Sequence, residues 1–332
     1  MRGKKKKIIA ICIVLFLLAL LCSGVFVVKY YLGKINRVDD SKVENIIPPE
    51  SQDFEVDSTP SGDVPEDTMD PDDIQWDDIE AFQDDHLINI LLVGQDRRKG
   101  QGRQRSDTMI LCSINPETKQ VSLISFLRDL YVQIPNGYAD NRLNAAYAFG
   151  GFPLLNQTIQ KNFGISIDGN FEVDFERFTQ VIDAIGGVDI ELTSAEAKYL
   201  GEWASVGWNH LDGEQALQYA RIRKIDSDFK RSARQRTILE TAFNKIKHLG
   251  FTESMALMDT ILPSLTTNMT DMQILSLATK LFPMMNSLDL KSYSVPAKNA
   301  YTSARIRGMA VLVPDLDVIR QQLQNEYLPI KH

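Results

Sequence analysis

The sequence predicts an α/β fold: a single layered domain with a central mixed β-sheet flanked by helices, plus an N-terminal transmembrane helix. Three observations predict it. Ile8–Val28 is a run without a single charge. From Leu87 onward, strand-like apolar runs alternate with amphipathic stretches that stop at glycine. Nothing in residues 86–332 repeats, and no linker divides them, so they read as one domain.

The elements follow in order. Residues 1–7 form a basic tail with Arg2 and Lys4 to Lys7. At about 1.5 Å per residue the Ile8–Val28 run spans about 31 Å, matching a bilayer core of about 30 Å. The basic residues before it place the N-terminus in the cytoplasm and the rest outside. A cleaved signal peptide would be shorter and carry an A-x-A site, and a lipoprotein signal would want a small residue where Leu21 precedes Cys22. Residues 29–85 are strongly acidic and hold few clustered apolar residues, so they are expected to be a disordered extracellular spacer. A coil of 50 residues would reach roughly 35–42 Å. The stretch DPDDIQWDD lacks the glycine that an EF-hand loop needs.

Within 86–332, INILLVG, DTMILCSI and QVSLISFL read as buried strands, the last two joined by a turn at Asn115–Thr118. FPLLNQTIQKNFG reads as a helix, GNFEVD as a strand, FERFTQVIDAIGG as a helix and VDIELT as a strand. DGEQALQYARIR begins as a helix, and RSARQRTILETAFNKIKHLG is a long one. Helices near 253–265 and 270–282, strands SYSVPA and MAVLVP, and a closing helix DLDVIRQQLQNEYL complete the pattern.

The net charge of −8 averages three unlike regions: +8 over 1–38, −17 over 39–85 and +1 over 86–332. Cys112 is the lone cysteine of the domain, so no disulfide within it is available. The four histidines lack metal-ligand spacing, which argues against a zinc hydrolase. There is no G-x-S-x-G elbow, GQDRRKGQ departs from the Walker A spacing, and KGQGRQR lacks the third glycine of a dinucleotide loop.

Charge instead gathers at strand ends. One cluster is Arg97, Arg98, Lys99, Arg103 and Arg105 with Asp96 and Asp107; a second is Arg128–Asp129; a third is YARIRKIDSDFKRSARQR. If YARIR is extended, Arg221 and Arg223 share a face. If the next segment is helical, Arg231 and Gln235 share one. The bland reading is solvated charge and ion pairs. Arg128 resists it, because it ends a nearly continuous apolar run and needs an anion there. Arginine forks match phosphate oxygens two at a time. Aspartates among them suit a divalent cation placed between carboxylate and phosphate. The mixed composition suggests a metal–diphosphate site.

The ordered blocks GQDRR, RSDTMIL, SFLRD, LNAAYAFGG, DGEQALQYARIR and DFKRSARQ resemble the LytR-CpsA-Psr family, densely over residues 86–240. The resemblance implies that 86–332 is a catalytic domain. It implies a phosphotransferase that moves a glycopolymer, of the teichoic acid or capsular polysaccharide class, from a polyprenyl-diphosphate carrier to peptidoglycan. The reaction would occur outside the membrane of a Gram-positive cell, with Mg²⁺ (or Mn²⁺). By the same resemblance Asp96 and Asp107 fall on metal-binding carboxylates. Arg98, Arg105, Arg128, Arg221, Arg223, Arg231 and Gln235 fall on diphosphate-binding positions, and Arg128 and Asp129 on catalytic ones. Arg97 and Arg103 are not carried over. Asp96, Asp107 and Asp129 remain open as the base that takes the acceptor's proton.

Six methionines between Met255 and Met285 suit either a lipid tunnel or ordinary core. Two rival classes stand beside the enzyme: a membrane-bound regulator of cell-envelope genes, and a non-enzymatic cell-wall binding module. No nucleic acid is expected as partner, since the domain's charge is near balance and its topology extracellular. The paired aspartates speak against simple polymer binding.

Overall fold

The computed structural model describes residues 27–43, 54, 56–57, 65–76, 81–82, 84, 86–95, 102–223 and 225–330. In chain order the strands and helices are β1 (Asn36–Arg37), β2 (Ile88–Gln95), β3 (Ser106–Asn115), β4 (Gln120–Phe126), β5 (Tyr131–Val132), β6 (Asn141–Arg142) and α1 (Leu143–Phe163). They continue with β7 (Gly169–Asp174), α2 (Phe175–Ala184), β8 (Val188–Leu192), α3 (Ser194–Leu200), β9 (Gly207–Leu211), α4 (Gly213–Ala220), α5 (Asp228–Ile246) and α6 (Phe251–Ile261). The chain closes with β10 (Thr266–Thr267), α7 (Asp271–Leu281), β11 (Asp289–Val295), β12 (Tyr301–Ile306), β13 (Met309–Pro314) and α8 (Leu316–Gln322).

A seven-stranded sheet in the order β1-β10-β7-β2-β3-β4-β11 forms the centre. It is mixed: β2 pairs β7 and β4 pairs β11 in parallel, while β2–β3 and β3–β4 are antiparallel. The expected mixed sheet is therefore present. Antiparallel pairing brings the end of β2, the start of β3 and the end of β4 to one rim. The β2–β3 register shifts between Gly94 and Gln95 at that rim. Such bulges turn side chains away from the ladder beside functional sites.

The apolar runs explain the layering. Met109 and Leu111 of β3 and Ile124 of β4 join Leu143, Leu155 and Phe163 of α1 in one core. Cys112 and Ile114 point the other way, toward Phe243 of α5 and Leu281 of α7. Strand alternation thus feeds two helical layers. A separate core holds Ile182 of α2, Ile190 of β8, Ala216 of α4 and Ile238 of α5.

Helix α1 begins earlier than the sequence pattern indicates, at Leu143, and is kinked at Gly150–Gly151. Gly151 has φ 61° and ψ −150°, a conformation essentially reserved for glycine. YARIR is not extended: α4 runs through Ala220, and Arg221 caps it at φ −95°, ψ 1°. The shared strand face expected for Arg221 and Arg223 does not form, because helix propagates to the cap and the chain then turns.

The acidic segment 29–85 is also used more than its composition suggests. Val27–Leu32 is helical, and Asn36–Arg37 pairs in parallel with β10 as an edge strand of the main sheet. Further on, Asp57 bonds the buried Arg142, and its backbone N–H donates to Gly308 O at 3.0 Å. Asp67 accepts from the N–H groups of Arg307 and Gly308 at the β12–β13 turn, both at 2.8 Å. Trp76 stacks on Tyr131 and donates to Asp140 at 2.8 Å. Acidic residues order here because each docks on a basic side chain or on backbone donors. The expected membrane span lies outside the described residues, save Val27 and Val28. Among the described residues no helix is long and apolar enough to cross a membrane.

Candidate functional site

Asp107 lies just inside β3, and Arg128 and Asp129 follow β4 after Leu127. Arg128 Nη1 donates to Asp107 Oδ1 at 2.9 Å, and its Nε lies 3.4 Å from Asp129 Oδ1. Arg223, half exposed, reaches the same Asp107 oxygen at 3.2 Å. One carboxylate oxygen thus faces two arginines from distant parts of the chain. Despite burial, which opposes its charge, Arg128 is held firmly protonated by Asp129, Asp228 and Asp107.

Helix α5 supplies the opposite wall. Arg231 is buried and paired with Asp228 one turn earlier. Burial pushes its pKa down, and the neighbouring Arg128 and Arg223 push the same way against Asp228. Arg231 and Gln235 share a helical face, as their spacing predicts, and line a small cleft with Asp107, Thr108 and Arg128. Positive charge crowded into a half-buried cleft is costly without an anion.

Arg105 enters from the loop before β3, with its guanidinium 5.8 Å from the Phe149 ring centre and 3.5 Å from Asn144 Oδ1. Arg221 stands exposed at the α4 cap. Asp96, Arg97, Arg98 and Lys99 lie outside the described residues. The rim therefore collects Asp107, Arg128, Asp129, Arg223, Arg231 and Gln235, with Arg105 at its border. Arg103 braces the backbone instead, donating to Ala148 O and Phe149 O, both at 3.0 Å, beside the α1 kink. Arg234 does likewise for the loop before α5, bonding Glu196 at 2.7 Å, Ile222 O at 3.1 Å and Asp226.

Two participants escaped the sequence reading. Asp228 exchanges a hydrogen bond with Asp129. Burial pushes the Asp129 carboxyl up to about 6; Arg128 and Arg142 pull it down, and hydrogen bonding to Asp228 pushes it up. Burial would raise Asp228 as well, but the Asp129 bond and the Arg231, Arg128 and Arg223 charges hold it below the ordinary carboxylate value. Below about pH 6 the proton between the two carboxyls resides on Asp129. Arg142, at the start of α1, lies 3.6 Å from Asp129 on one side and bonds Asp57 on the other. The DFKR stretch carried the only sequence signal for Asp228: an acid among bases at a helix start.

Four of the six methionines stand in unlike surroundings. Met269 is buried against Gly169, Met284 packs beside Ile114, and Met258 and Met272 are exposed. Among the described residues, no cluster of three metal-ligating side chains occurs.

The chain as a whole is similar to known proteins. A teichoic acid transferase, TagU of Oceanobacillus iheyensis, is 36% identical over 242 residues, covering 70% of this chain and 67% of that protein. A structure described as TagT bound to LIIa-WTA superposes with a TM-score of 0.60 at 28% identity, covering 73% of this chain and 91% of that one. A structure of YwtF (TagT) with bound octaprenyl pyrophosphate lipid has a TM-score of 0.56 at 25% identity, covering 75% and 94%. The family model described as LytR_cpsA_psr matches residues 53–325, so the chain belongs to the LytR_cpsA_psr family.

Proposed function

We propose that this chain is a membrane-anchored, extracellular phosphotransferase that moves a glycopolymer from a polyprenyl-diphosphate carrier to peptidoglycan. The observation that carries this is the Asp107–Arg128–Arg223 junction beside Arg231 and Gln235. A carboxylate that receives two arginines occupies the place a diphosphate would take. The teichoic-acid and polyprenyl-pyrophosphate ligands of the related structures support the substrate class.

Arg128, Arg223 and Arg231 would turn from their carboxylates onto the phosphate oxygens, each charge-assisted bond contributing about 1.5–3 kcal/mol. Asp107, released from the arginines, would then hold Mg²⁺ together with Asp96, and Mn²⁺ would suit the same oxygens. Carboxylate oxygens, Asp107's being the ones within the described residues, would suit a hard cation by their chemistry. When bound, the ion supplies charge neutralisation at the diphosphate.

The chemistry is a displacement at the sugar-linked phosphorus. A peptidoglycan hydroxyl oxygen forms a bond to that phosphorus, the bond to the bridging oxygen breaks, and polyprenyl phosphate departs with that oxygen. The hydroxyl proton passes to a carboxylate. Asp129 is the best placed acceptor: its carboxyl titrates at about 6, and Asp228 and Arg142 fix its position. Asp107 is instead engaged by Arg128 and Arg223.

The test uses the full chain with a synthetic polyprenyl-diphosphate saccharide and peptidoglycan oligomers. Mass spectrometry should find polyprenyl monophosphate and a saccharide joined to glycan through a phosphodiester, in equal amounts. Unconverted carrier would refute the reading. Polyprenyl monophosphate with free sugar phosphate would make the chain a hydrolase instead.

A further inference from the structure

We propose that α6 and α7 form a membrane-resting face, so that the catalytic domain sits directly on the outer bilayer surface. The proposal rests on reading Ile8–Val28 as an uncleaved anchor.

The chain leaves that span at Val28, continues as helix to Leu32 and turns at Gly33, whose N–H donates to Lys29 O at 2.9 Å. Tyr30 and Tyr31 pack edge to face at 5.3 Å, and Lys34 Nζ lies 4.4 Å from the Tyr30 ring centre. Amphipathic rings and a lysine are what a helix carries at a headgroup boundary. Two residues after Lys34 the chain becomes β1 and is paired with β10. Asn36 Nδ2 also bonds Pro263 O at 2.7 Å and Leu265 O at 3.0 Å. No flexible reach separates the end of the anchor from the main sheet. An acidic spacer that follows β1 cannot lift the domain away.

The elements joined to this exit are α6, β10 and α7. Lys34 pairs with Asp259 of α6 and Arg37 with Asp271 of α7, both at 2.6 Å. Each pair adjoins an exposed apolar side chain, Met258 and Met272. Helix α7 buries no residue fully. Met272, Leu275 and Phe282 recur at helical spacing on and just beyond it, and are 74%, 36% and 64% exposed. Large apolar side chains left open to water on one helical face signal a partner. Here the partner is placed by the anchor: the stripe starts beside the point where the chain enters the bilayer. The two ion pairs also offset Asp259 and Asp271, carboxylates that would otherwise repel an anionic headgroup layer; Glu253, in the first turn of α6, accepts from Gly250 N at 2.9 Å.

The experiment reconstitutes the full chain in phosphatidylglycerol-containing vesicles. In a background with Cys12 and Cys22 changed to alanine, Met272→Cys, Phe282→Cys and, on exposed β12, Ser303→Cys each receive an environment-sensitive fluorophore. Cys112 stays, since burial pushes its thiol up to about 12 and keeps it slow to label; the label on the parent chain is subtracted. An apolar face in an interface sinks about 5–10 Å, so lipid-borne nitroxides should quench the 272 and 282 probes at least about threefold more than the 303 probe. Equal quenching in protein that co-floats with vesicles would overturn the face while leaving the anchor intact. Failure to co-float would overturn both. Shielding that needs added polyprenyl diphosphate, or that vanishes on dilution of protein in lipid, would assign the stripe to substrate or to a second copy instead. None of these outcomes bears on phosphoryl transfer, whose failure would be seen separately in the carrier assay.

Discussion

At the scale of single residues, Arg128 decides most. It is bound more closely to Asp107 of β3 than to Asp129, so it is not a simple partner of its sequence neighbour. Arg128→Lys keeps the charge and loses the planar fork. Folding should be near native and carrier binding modestly weaker, while transfer should fall by about 10²-fold, because small misplacements of the reacting centre are that costly. Transfer within a few-fold of wild type at equal stability would make Arg128 structural. Asp107→Asn should weaken Mn²⁺ binding in the presence of a soluble diphosphate, read directly from the paramagnetic resonance of the free ion. Unchanged ion binding would remove Asp107 from the metal site. Asp129 adds a pH signature. Its folded pKa of about 6 lies above the ordinary 3.8, so folded protein binds more protons between those values. Asp129 therefore contributes stability below about pH 4 and loses it as pH rises through about 6. Asp129→Asn should flatten the decline of urea stability between pH 4 and 6. An unchanged slope would place the shared proton elsewhere. The rim arginines were legible because charge at the end of an apolar run needs an explanation. Asp228 and Arg142 were not, since their importance comes from Asp129, which they meet only in the fold.

At the scale of elements, strands with continuous apolar runs could be read directly, and so could helices stopped by glycine. Two-residue β1 and β10 could not: Asn-Arg and Thr-Thr carry no strand pattern, and their pairing is set by the chain around them. β12 was hidden as well, because YTSARI is half exposed and only the hairpin partner β13 makes it a strand. The start of α4 shows how tightly elements fit. A Cβ on Gly213 would stand 2.3 Å from Thr179 O of α2. Gly213→Ala must push the two helices apart, at about 1–3 kcal/mol. Thermal unfolding should show the loss, and because α4 leads into the Arg221–Arg223 segment, carrier affinity should fall with it. A melting point equal to wild type would mean that α2 and α4 yield freely.

At the scale of the whole molecule, the acidic segment changes meaning. Its composition argued for a coil, and composition alone cannot show that Asp57 meets Arg142 or that Trp76 covers Tyr131. A chain cut to 86–332 loses β1, removes one partner of a buried arginine and uncovers the Phe54–Trp76 cluster. Compared with residues 30–332 it should melt lower by roughly 4–8 °C, taking about 2 kcal/mol for the lost contacts. Equal melting points would show that the segment only rests on the domain.

The pairing of β1 with β10 also orders events in time. Asn36 and its acceptor Leu265 are 229 residues apart. At about 5–20 residues per second, the first strand is made roughly 10–45 s before its partner exists. Asn36 and Arg37 are polar and exposed, so this short stretch can wait in water without recruiting a stray strand. The β1–β10 edge of the sheet thus closes late in synthesis, with only the β4–β11 edge after it. A nascent chain halted before Leu265 would carry β1 unpaired, and release of the final fifth of the chain would let the seam close.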